Sequence, residues 1–450
     1  MPALSEEIAV GDTCEDDDEL LHIDLLEFLQ AVTDTDFYPR NEQQEALGRL
    51  LFHDKIVSGN RNISCASCHH ILTGTSDGLS LSIGEGGHGL SVTRDTGTGE
   101  HAVHERVPRN SPALFNLGAV EFQRMFHDGR VEIDSSQPSG FRSPAGDQLP
   151  GGLDNPLAVQ AMFPVTSTTE MAGQASENEI AVRASLGDLV GVWERLADRL
   201  RANQQYAEMF VDAFEDIDSA ADIEFHHAAN AIAAYEAAAW RADESPFDRW
   251  LRGERDAISL QARRGAELFY GRANCGSYHS GRFQTDHEFH AAGVPQIGPG
   301  KGDNAPGYAD GRDDFGRERV TGEESDRYCF RTPSLRNVAL TGPWGHSGAY
   351  NDLKATVRHM SDPATHLNAY DPAQCVLPSR QDLDAQDLVV HGDSARRAQI
   401  QSRIQNTPVM LTDTEVEEIL DFLHALTDPR SLDLRHDMPR LVPSGLPLDD

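Results

Sequence analysis

Apolar residues recur at helical spacing in the stretches of this chain that are richest in leucine and alanine. Leu47, Leu50 and Leu51 share one face of a predicted helix, and the alanine-rich segment 225–240 favours another helix by propensity. A third helix is predicted to begin at Thr412, because a glutamate follows three residues later and an apolar run comes next. The pattern therefore predicts a mainly α-helical fold.

Glycine-rich stretches interrupt this periodicity. Residues 74–109 contain eight glycines, and a second stretch, from Gly293 to Gly316, is rich in Gly, Pro and Asp. So much glycine disfavours regular structure, so both are predicted to be long irregular loops, which are usually functional or mobile. The proline-containing segment 429–450 is predicted to be an extended tail. His226 and His227 are predicted to lie on a helix surface rather than to bind a metal.

Composition sets the broad class of the protein. The chain has 450 residues, 39% of them hydrophobic, enough for two or three domains with their own cores. Its formal net charge of −35 excludes nucleic acid as a partner, because an acidic surface repels a polyanion. The charge fits either a plain solvated surface or the attraction of a basic partner protein. No stretch approaches the roughly 18 consecutive apolar residues of a membrane span.

Two of the six cysteines, Cys65 and Cys68, form a CxxCH motif with His69. In this motif the cysteines add to the vinyl groups of a haem and the histidine ligates the iron. A zinc half-site or a redox-active CxxC are the alternatives, but no second CxxC is present to complete a zinc site. The motif therefore predicts covalently bound haem c.

The region around this motif is repeated later in the chain. The segment 48–52, which begins with Gly and ends in Leu-Phe, precedes the first motif. The segment 265–269 has the same pattern and precedes a similar motif, Cys275-Gly-Ser-Tyr278-His279. Such a repeat predicts two related haem domains. Because Tyr278 stands where the second cysteine belongs, at most one thioether forms there, at Cys275. His279 can still ligate iron, since axial ligation and covalent attachment are separate bonds.

A set of motifs in fixed order resembles the bacterial di-haem cytochrome c peroxidases, a group that includes the MauG-like enzymes. The stretches that carry the resemblance are 64–70, 77–84, 109–116, 126–130, 170–171, 265–286 and 330–348. The resemblance implies two cytochrome c-like haem domains packed face to face, with long irregular loops. It divides the chain into an N-terminal extension (1–40), a peroxidatic haem domain (41–250), an electron-transfer haem domain (251–428) and the tail (429–450).

The resemblance also implies a division of labour between the two haems. The CxxCH haem would react with hydrogen peroxide, and the haem at Cys275 and His279 would receive electrons from a small cytochrome c or cupredoxin. Met360 would be the second axial ligand of that haem, with the neighbouring His359 as the competing candidate. Glu170 would move the proton during peroxide cleavage, and Gln160 would orient the peroxide by hydrogen bonding.

Further implications of the resemblance concern metal, location and assembly. A calcium ion would lie between the haem domains, held by Asn110, Thr341 and Pro343. The chain would be periplasmic or otherwise exported, although the acidic start from Met1 to Glu19 lacks the features of a secretory signal. A homodimer is compatible with the resemblance.

The chain departs from the family pattern at three places. Where some members carry a histidine that closes the peroxide site, this chain has Glu85, with His88 three residues on. His127 replaces a tryptophan thought to lie between the haems, and Tyr278 replaces a haem-binding cysteine. Two other functions therefore stay open: a MauG-like oxidase that modifies Trp or Tyr of a partner protein, and a non-catalytic di-haem electron carrier.

Overall fold

The computed structural model describes residues 29–448, and its regular structure is mostly helical. The helices are α1 Glu42–His53, α2 Cys65–Cys68, α3 Pro156–Ala161, α4 Glu179–Ser185, α5 Leu189–Arg201, α6 Gln204–Ala213, α7 Phe225–Ala239, α8 Pro246–Leu251, α9 Leu260–Tyr270, α10 Glu318–Thr321, α11 Leu353–Ser361, α12 Pro363–Asn368, α13 Gln381–Asp387, α14 Val389–Gly392, α15 Ser394–Ser402 and α16 Asp413–Ala425. Between residues 29 and 448, no helix is long and apolar enough to cross a membrane.

Two small antiparallel sheets accompany the helices. The strands are β1 Arg124–Met125, β2 Val131–Ile133, β3 Phe141–Arg142, β4 Phe289–His290 and β5 Phe330–Arg331. The first sheet has the order β1-β2-β3, with Met125 opposite Val131, and the second pairs β4 with β5, with Phe289 opposite Arg331. Most of the remaining chain is irregular, as the glycine content predicts.

Helix α1 forms and packs as its sequence predicts. The Asn41 side chain caps it by accepting from the backbone amides of the second and third helical residues, at 3.1 Å each. Leu47 and Leu51 are fully buried. Gly48 faces helix α7 so closely that an added Cβ would lie 1.8 Å from the Ala231 carbonyl oxygen. Only glycine permits this close crossing of the two helices.

The same crossing occurs in the second half of the chain. Helix α9 packs on α16, and an added Cβ on Gly265 would lie 1.8 Å from the Glu418 carbonyl oxygen. Helix α16 begins as predicted, because Thr412 and Glu415 form a reciprocal capping box. The repeat seen in the sequence is thus a repeated pair of helices that meet at a glycine.

Each helix pair lies in its own large hydrophobic cluster. The first cluster contains residues of α1, α5, α6 and α7, together with Phe37 and Leu434 from near the two ends of the described chain. The second contains residues of α8, α9 and α16, together with Leu29. Residues 29–37 therefore pack against both clusters. The remainder of the predicted extension 1–40, residues 1–28, lies outside the described residues.

The C-terminal segment is anchored to the first half of the chain. Arg49 donates hydrogen bonds to the carbonyl oxygens of residues 436–438, at 2.7 to 3.0 Å. The Ser444 hydroxyl donates to the buried carboxylate of Asp54 at 2.7 Å. A 3₁₀ turn at Pro429–Leu432 interrupts the predicted extended tail. The segment is therefore partly turn, and polar contacts fix it.

The prediction that His226 and His227 lie on a helix surface was wrong for His227, whereas His226 is partly exposed. His227 is only 4% exposed, and its Nδ1 accepts from the Glu224 backbone amide at 3.0 Å, which caps helix α7. Its Nε2 lies 3.3 Å from the Asp216 carboxylate. The His226 ring covers Gly152. Alanine-rich periodicity did not reveal that the start of α7 is buried under neighbouring loops.

Candidate haem sites

The first predicted haem site begins at the short helix α2. Ser64 and Ser67 form a capping box at its start, and the His69 backbone amide bonds to the Cys65 carbonyl at 2.9 Å. Burial raises the pKa of the Cys65 thiol and raises that of Cys68 to about 12, so both side chains are protonated thiols. The helix places both thiols and the following histidine within one turn.

His69 is oriented by the backbone. Its Nδ1 lies 3.0 Å from the Thr75 carbonyl oxygen, which can only accept, so Nδ1 carries the proton and Nε2 keeps a lone pair. Burial lowers the pKa of His69 to about 4, so the ring is neutral. A neutral imidazole ligates a metal through one nitrogen while the other nitrogen donates a hydrogen bond, as Nδ1 does here.

The second site repeats this arrangement. Cys275–Ser277 forms a 3₁₀ turn, and the His279 amide bonds to the Cys275 carbonyl at 2.9 Å. Nδ1 of His279 lies 3.0 Å from the Gln284 carbonyl oxygen, which again leaves a lone pair on Nε2. Burial lowers the pKa of His279. Both predicted axial histidines are therefore held in the same tautomer by the same kind of contact.

A cavity of about 310 Å³ brings the predicted residues of the second site together. Cys275, Tyr278 and His279 line it, and Met360 of helix α11 joins them from a distant part of the chain. A thiol, a neutral imidazole with a free lone pair and a thioether facing one cavity are the donors expected for an attached His/Met haem. The residues present therefore fit the group that the motif predicts.

Tyr278 occupies the wall of this cavity in place of a cysteine. Its ring meets the His290 ring edge-on, with centroids 4.8 Å apart, and His290 Nε2 lies 2.7 Å from the Asp286 carboxylate. The substitution is accommodated by packing against the neighbouring strand β4. Cys275 is then the single thiol of this motif available for a thioether.

Glu170 lies close to the first site. Its backbone carbonyl accepts from the Glu85 amide at 3.0 Å, and its negative charge contributes to the raised pKa of Cys68. Glu170 keeps some accessible surface, yet desolvation raises its pKa, while the charges of Lys301 and Arg130 oppose that rise. Gln160 lies on the last turn of α3 and is partly buried.

Lys301 is a neighbour of Glu170 that the sequence did not reveal. It comes from the second glycine-rich loop, and desolvation together with the charges of Arg130 and Arg109 lowers its pKa to about 8. The signal available in the sequence was its rarity, because the chain has only three lysines. The loop brings its positive charge to the Glu170 side of the molecule.

The positions at which the chain departs from the family pattern are also defined. The Glu85 carboxylate accepts from the Asn60 and Asn62 side-chain amides, at 2.7 Å each. His88 is exposed. His127 Nε2 donates to the Asn110 carbonyl at 3.1 Å, and burial and the Arg109 charge lower the pKa of His127 to about 4. Glu85 is therefore held within the protein, and His127 is a neutral, oriented ring.

A second buried histidine, His346, faces the same cavity as His127. Its ring stacks on Phe330 with centroids 3.7 Å apart and planes 9° apart. Burial lowers the pKa of His346 to about 3, although the charge of Asp314 opposes this. His346 falls within the motif 330–348, and its place in the cavity wall was not predicted from the sequence.

The three residues of the predicted calcium site belong to the wall of one cavity. Asn110, Thr341 and Pro343 all line the cavity. The Asn110 side-chain NH₂ donates to the Leu79 and Ser80 carbonyls, at 2.9 and 3.3 Å, which turns its amide oxygen away from those carbonyls. In the part of the chain that the structure describes, no three His, Cys, Asp or Glu side chains form a metal cluster. A cation at Asn110 would therefore depend on amide and carbonyl oxygens, which calcium accepts.

Comparison with known proteins decides the family. The family model for di-haem cytochrome c peroxidase matches residues 42–256. The protein is 31% identical to the methylamine utilization protein MauG of Methylorubrum extorquens over 322 residues, which cover 71% of this chain and 69% of that protein. It is 30% identical to the cytochrome c551 peroxidase of Pseudomonas aeruginosa over 333 residues, or 74% of this chain and 76% of that protein. The chain belongs to the di-haem cytochrome c peroxidase family.

Solved structures share the fold of this di-haem peroxidase family member. The diheme peroxidase BthA from Burkholderia thailandensis aligns over 92% of each chain with a TM-score of 0.56 at 20% identity. A MauG-like protein associated with microbial copper homeostasis aligns over 90% of this chain and 94% of that one, with a TM-score of 0.55 at 24% identity. The prediction of a mainly α-helical fold is confirmed, and the fold matches that of MauG-like di-haem proteins.

Membership also confirms that the chain is an oxidoreductase, and it implies two haem c cofactors. The alternative of a non-catalytic electron carrier is therefore not carried further. The individual site residues, the division into two haem domains and the calcium ion stay predictions.

Proposed function

We propose that this protein reduces hydrogen peroxide to water with electrons from a small redox protein. The observation that carries the proposal is the place of Glu170: a desolvated carboxyl with a raised pKa, beside Cys68 of the CxxCH motif and flanked by the charges of Lys301 and Arg130. A general base for peroxide needs to be near the reacting iron and to have a pKa closer to neutrality than an exposed carboxyl.

The first site, held by Cys65, Cys68 and His69, is proposed to be the peroxidatic one. A haem bound there supplies the iron that binds and reduces peroxide. Glu170 takes the proton from the near oxygen of peroxide and returns it to the departing oxygen, so that water leaves. Gln160 donates a hydrogen bond that orients the peroxide. With Glu85 bonded to two asparagines and His88 exposed, this site is proposed to be open at rest.

The second site is proposed to receive electrons. His279 and Met360 would both ligate the iron of a haem bound there, which suits electron transfer because no ligand position would be left for peroxide. Cys275 would hold that haem through one thioether. The net charge of −35 favours a basic donor, a cytochrome c or a cupredoxin, through long-range attraction.

The wider organisation of the protein follows the family in this proposal. Residues 41–250 form the peroxidatic haem domain and residues 251–428 the electron-transfer domain, packed face to face. Asn110, Thr341 and Pro343 hold a calcium ion between them. The protein acts in the periplasm or another exported location and forms a homodimer.

Steady-state peroxide reduction by the haem-loaded protein with a reduced small cytochrome tests the proposal. The variant E170Q should lose about 10²- to 10⁴-fold in rate, the usual contribution of a positioned acid-base group, while its haem spectrum is retained. The matched control is E105Q, because Glu105 is exposed in the first glycine-rich loop. Equal rates for E170Q and E105Q would contradict the role of Glu170, and no turnover by the unaltered protein would contradict the peroxidase function.

A second function, a MauG-like oxidase acting on Trp or Tyr of a partner protein, is favoured by the proposed open first site and by the 31% identity to MauG. Met360 favours the peroxidase, because a His/Met haem has a raised potential, which suits a haem that stores a reducing electron. The two functions differ in where the electrons originate. Peroxide consumption that oxidises an added donor supports the peroxidase, and oxidation of Trp or Tyr in a partner protein, detected by mass spectrometry, supports the oxidase.

A further inference from the structure

A buried tyrosine and a buried histidine are paired beside the wall of the second cavity. The Tyr350 hydroxyl lies 2.8 Å from His359 Nδ1, and both side chains are at most 3% exposed. His359 Nε2 lies 2.9 Å from the Ala292 carbonyl oxygen, which can only accept. Nε2 therefore carries the ring proton, and Nδ1 accepts the hydrogen bond from Tyr350.

This pair is next to the residues that face the proposed electron-transfer haem. Ala292 lines the cavity, and so does Met360, the residue directly after His359. Tyr350 also exchanges backbone hydrogen bonds with Trp344, another residue of the cavity wall, at 2.7 and 3.2 Å. The Tyr350 phenol therefore lies behind the residues that line the cavity.

The contacts continue outward from Tyr350 to a thiol. The Tyr350 and Tyr370 rings meet edge-on with centroids 5.3 Å apart. The Tyr370 hydroxyl donates to the Ala349 carbonyl, and Cys375 Sγ lies 3.2 Å from the same hydroxyl oxygen. Because the one hydroxyl proton is used on the carbonyl, the thiol is the donor in this second contact. Cys375 is partly exposed, so the chain of contacts reaches solvent.

We infer that Tyr350, Tyr370 and Cys375 form a one-electron relay that carries oxidising equivalents from the second haem site to the Cys375 thiol when peroxide arrives without an electron donor. The inference rests on the proposed function, because hydrogen peroxide is the oxidant. It goes beyond that function because Cys375, instead of the donor protein, supplies the electrons.

Each step of the relay balances. Tyr350 gives one electron to the peroxide-oxidised haem site, and its hydroxyl proton moves to His359 Nδ1 along the existing hydrogen bond. Tyr350 then recovers its proton from His359 and an electron that Cys375 supplies through Tyr370. The thiol proton of Cys375, which is partly exposed, leaves to water, and the Tyr370 hydroxyl keeps its proton on the Ala349 carbonyl throughout. In total, one electron moves from Cys375 to the haem site, one proton is released and a thiyl radical is left on Cys375. One hydrogen peroxide accepts two such electrons and two protons and becomes two water molecules.

The geometry favours this path for physical reasons. A buried phenol loses an electron readily only when a base takes its proton at the same time, and His359 Nδ1 is already bonded to that proton. The two tyrosine rings are in direct contact, so no gap has to be crossed. Burial of His359 and Tyr350 keeps water away from the intermediate radical.

Peroxide added to the haem-loaded protein without a donor tests the relay. Three readouts are taken: the haem absorption spectrum, the electron paramagnetic resonance spectrum of rapidly frozen samples with ring-deuterated tyrosine, and spin-trap adducts located by peptide mass spectrometry. We expect a tyrosine radical and a trap adduct on Cys375. Y350F and Y370F should each lose the Cys375 adduct, and C375S should keep the tyrosine radical for longer, while the haem reacts with peroxide as before.

Matched controls are Y308F and C329S, because the Tyr308 ring lies against Arg396 and the Cys329 thiol lies near backbone carbonyls and Gln405 instead of a tyrosine hydroxyl. Both should behave like the unaltered protein. A Cys375 adduct that persists in both tyrosine variants would overturn the relay. A haem that reacts with peroxide without any tyrosine radical would overturn the relay alone, whereas a haem spectrum unchanged by peroxide would overturn the proposed function as well.

Discussion

Arg109 and Asp314 form a buried bidentate ion pair between the segment before β1 and the second glycine-rich loop. Arg109 Nε lies 2.7 Å from one carboxylate oxygen and Nη2 lies 2.8 Å from the other. Arg109 also contacts the Asp128 carboxylate at 2.8 Å. Burial alone would raise the pKa of Asp314, but the Arg109 charge and hydrogen bonds hold it well below its usual range. The pair joins the two halves of the chain near the cavity.

The first prediction concerns this ion pair. D314N leaves the buried Arg109 charge half-compensated, so the free energy of unfolding should fall by about 3 kcal/mol, the low end for breaking a buried pair. Urea unfolding of the haem-loaded protein measures the change. The exposed pair Arg435–Asp433 supplies the control, and D433N should have no measurable effect. A D314N variant as stable as the unaltered protein would contradict the assignment.

The pH dependence of that difference follows from the direction of the Asp314 shift. A carboxyl with a folded pKa below its unfolded value stabilises the fold fully above the unfolded pKa of about 4 and loses that contribution as the pH falls. The stability difference between the unaltered protein and D314N should therefore be largest near neutral pH and shrink below about pH 4.

The second prediction concerns the repeated helix crossing. G48A places a methyl group 1.8 Å from the Ala231 carbonyl oxygen and G265A places one equally close to that of Glu418, so in each case two helices must separate. Each variant should lose about 2 kcal/mol or more of stability, within the range of overpacked cores. Urea unfolding measures both. Gly151 has open space around its Cβ position, and G151A should change stability by less than about 0.5 kcal/mol.

Sequence patterns were informative wherever a local rule determines the structure. Residues close together in the chain determine the helix cap at Thr412 and the apolar face of α1. The same holds for the position of His69 directly after Cys68. The repeat around Cys275 was also visible, because both copies keep the same order of elements. These features together led to the correct family.

Packing of loops against helices explains what the sequence did not show. His227 is buried because the loop that carries Asp216 packs on the start of α7, and Lys301 reaches the Glu170 side of the molecule through an irregular loop with no periodicity. The Tyr350–His359 bond joins a loop to a helix. None of these contacts leaves a spacing in the sequence, so only the folded chain reveals them.

The third prediction concerns the pH dependence of the peroxide reaction. Glu170 must be deprotonated to accept a proton, so the rate should fall as the pH drops through its pKa, which desolvation places above the usual value of about 4.3. Removing the Lys301 charge in K301M should raise that pKa further and move the profile to higher pH. Stopped-flow haem absorption measures the rates. K354M is the control, because Lys354 is exposed and pairs with Glu417, and its profile should match that of the unaltered protein.

The last prediction concerns Tyr278 and the number of thioethers. With Cys275 as the single thiol of the second motif, the unaltered protein should carry two covalent haems, one of them through one thioether. Y278C restores the second thiol in the cavity wall, so its pyridine haemochrome band should move toward that of a doubly attached haem while the intact mass still shows two haems. C275S should leave one haem extractable with acidified acetone, whereas C329S should retain both. If the second haem of the unaltered protein is extractable, the proposed Cys275 thioether does not form, and Tyr278 then marks a site that binds its haem through His279 and Met360 alone.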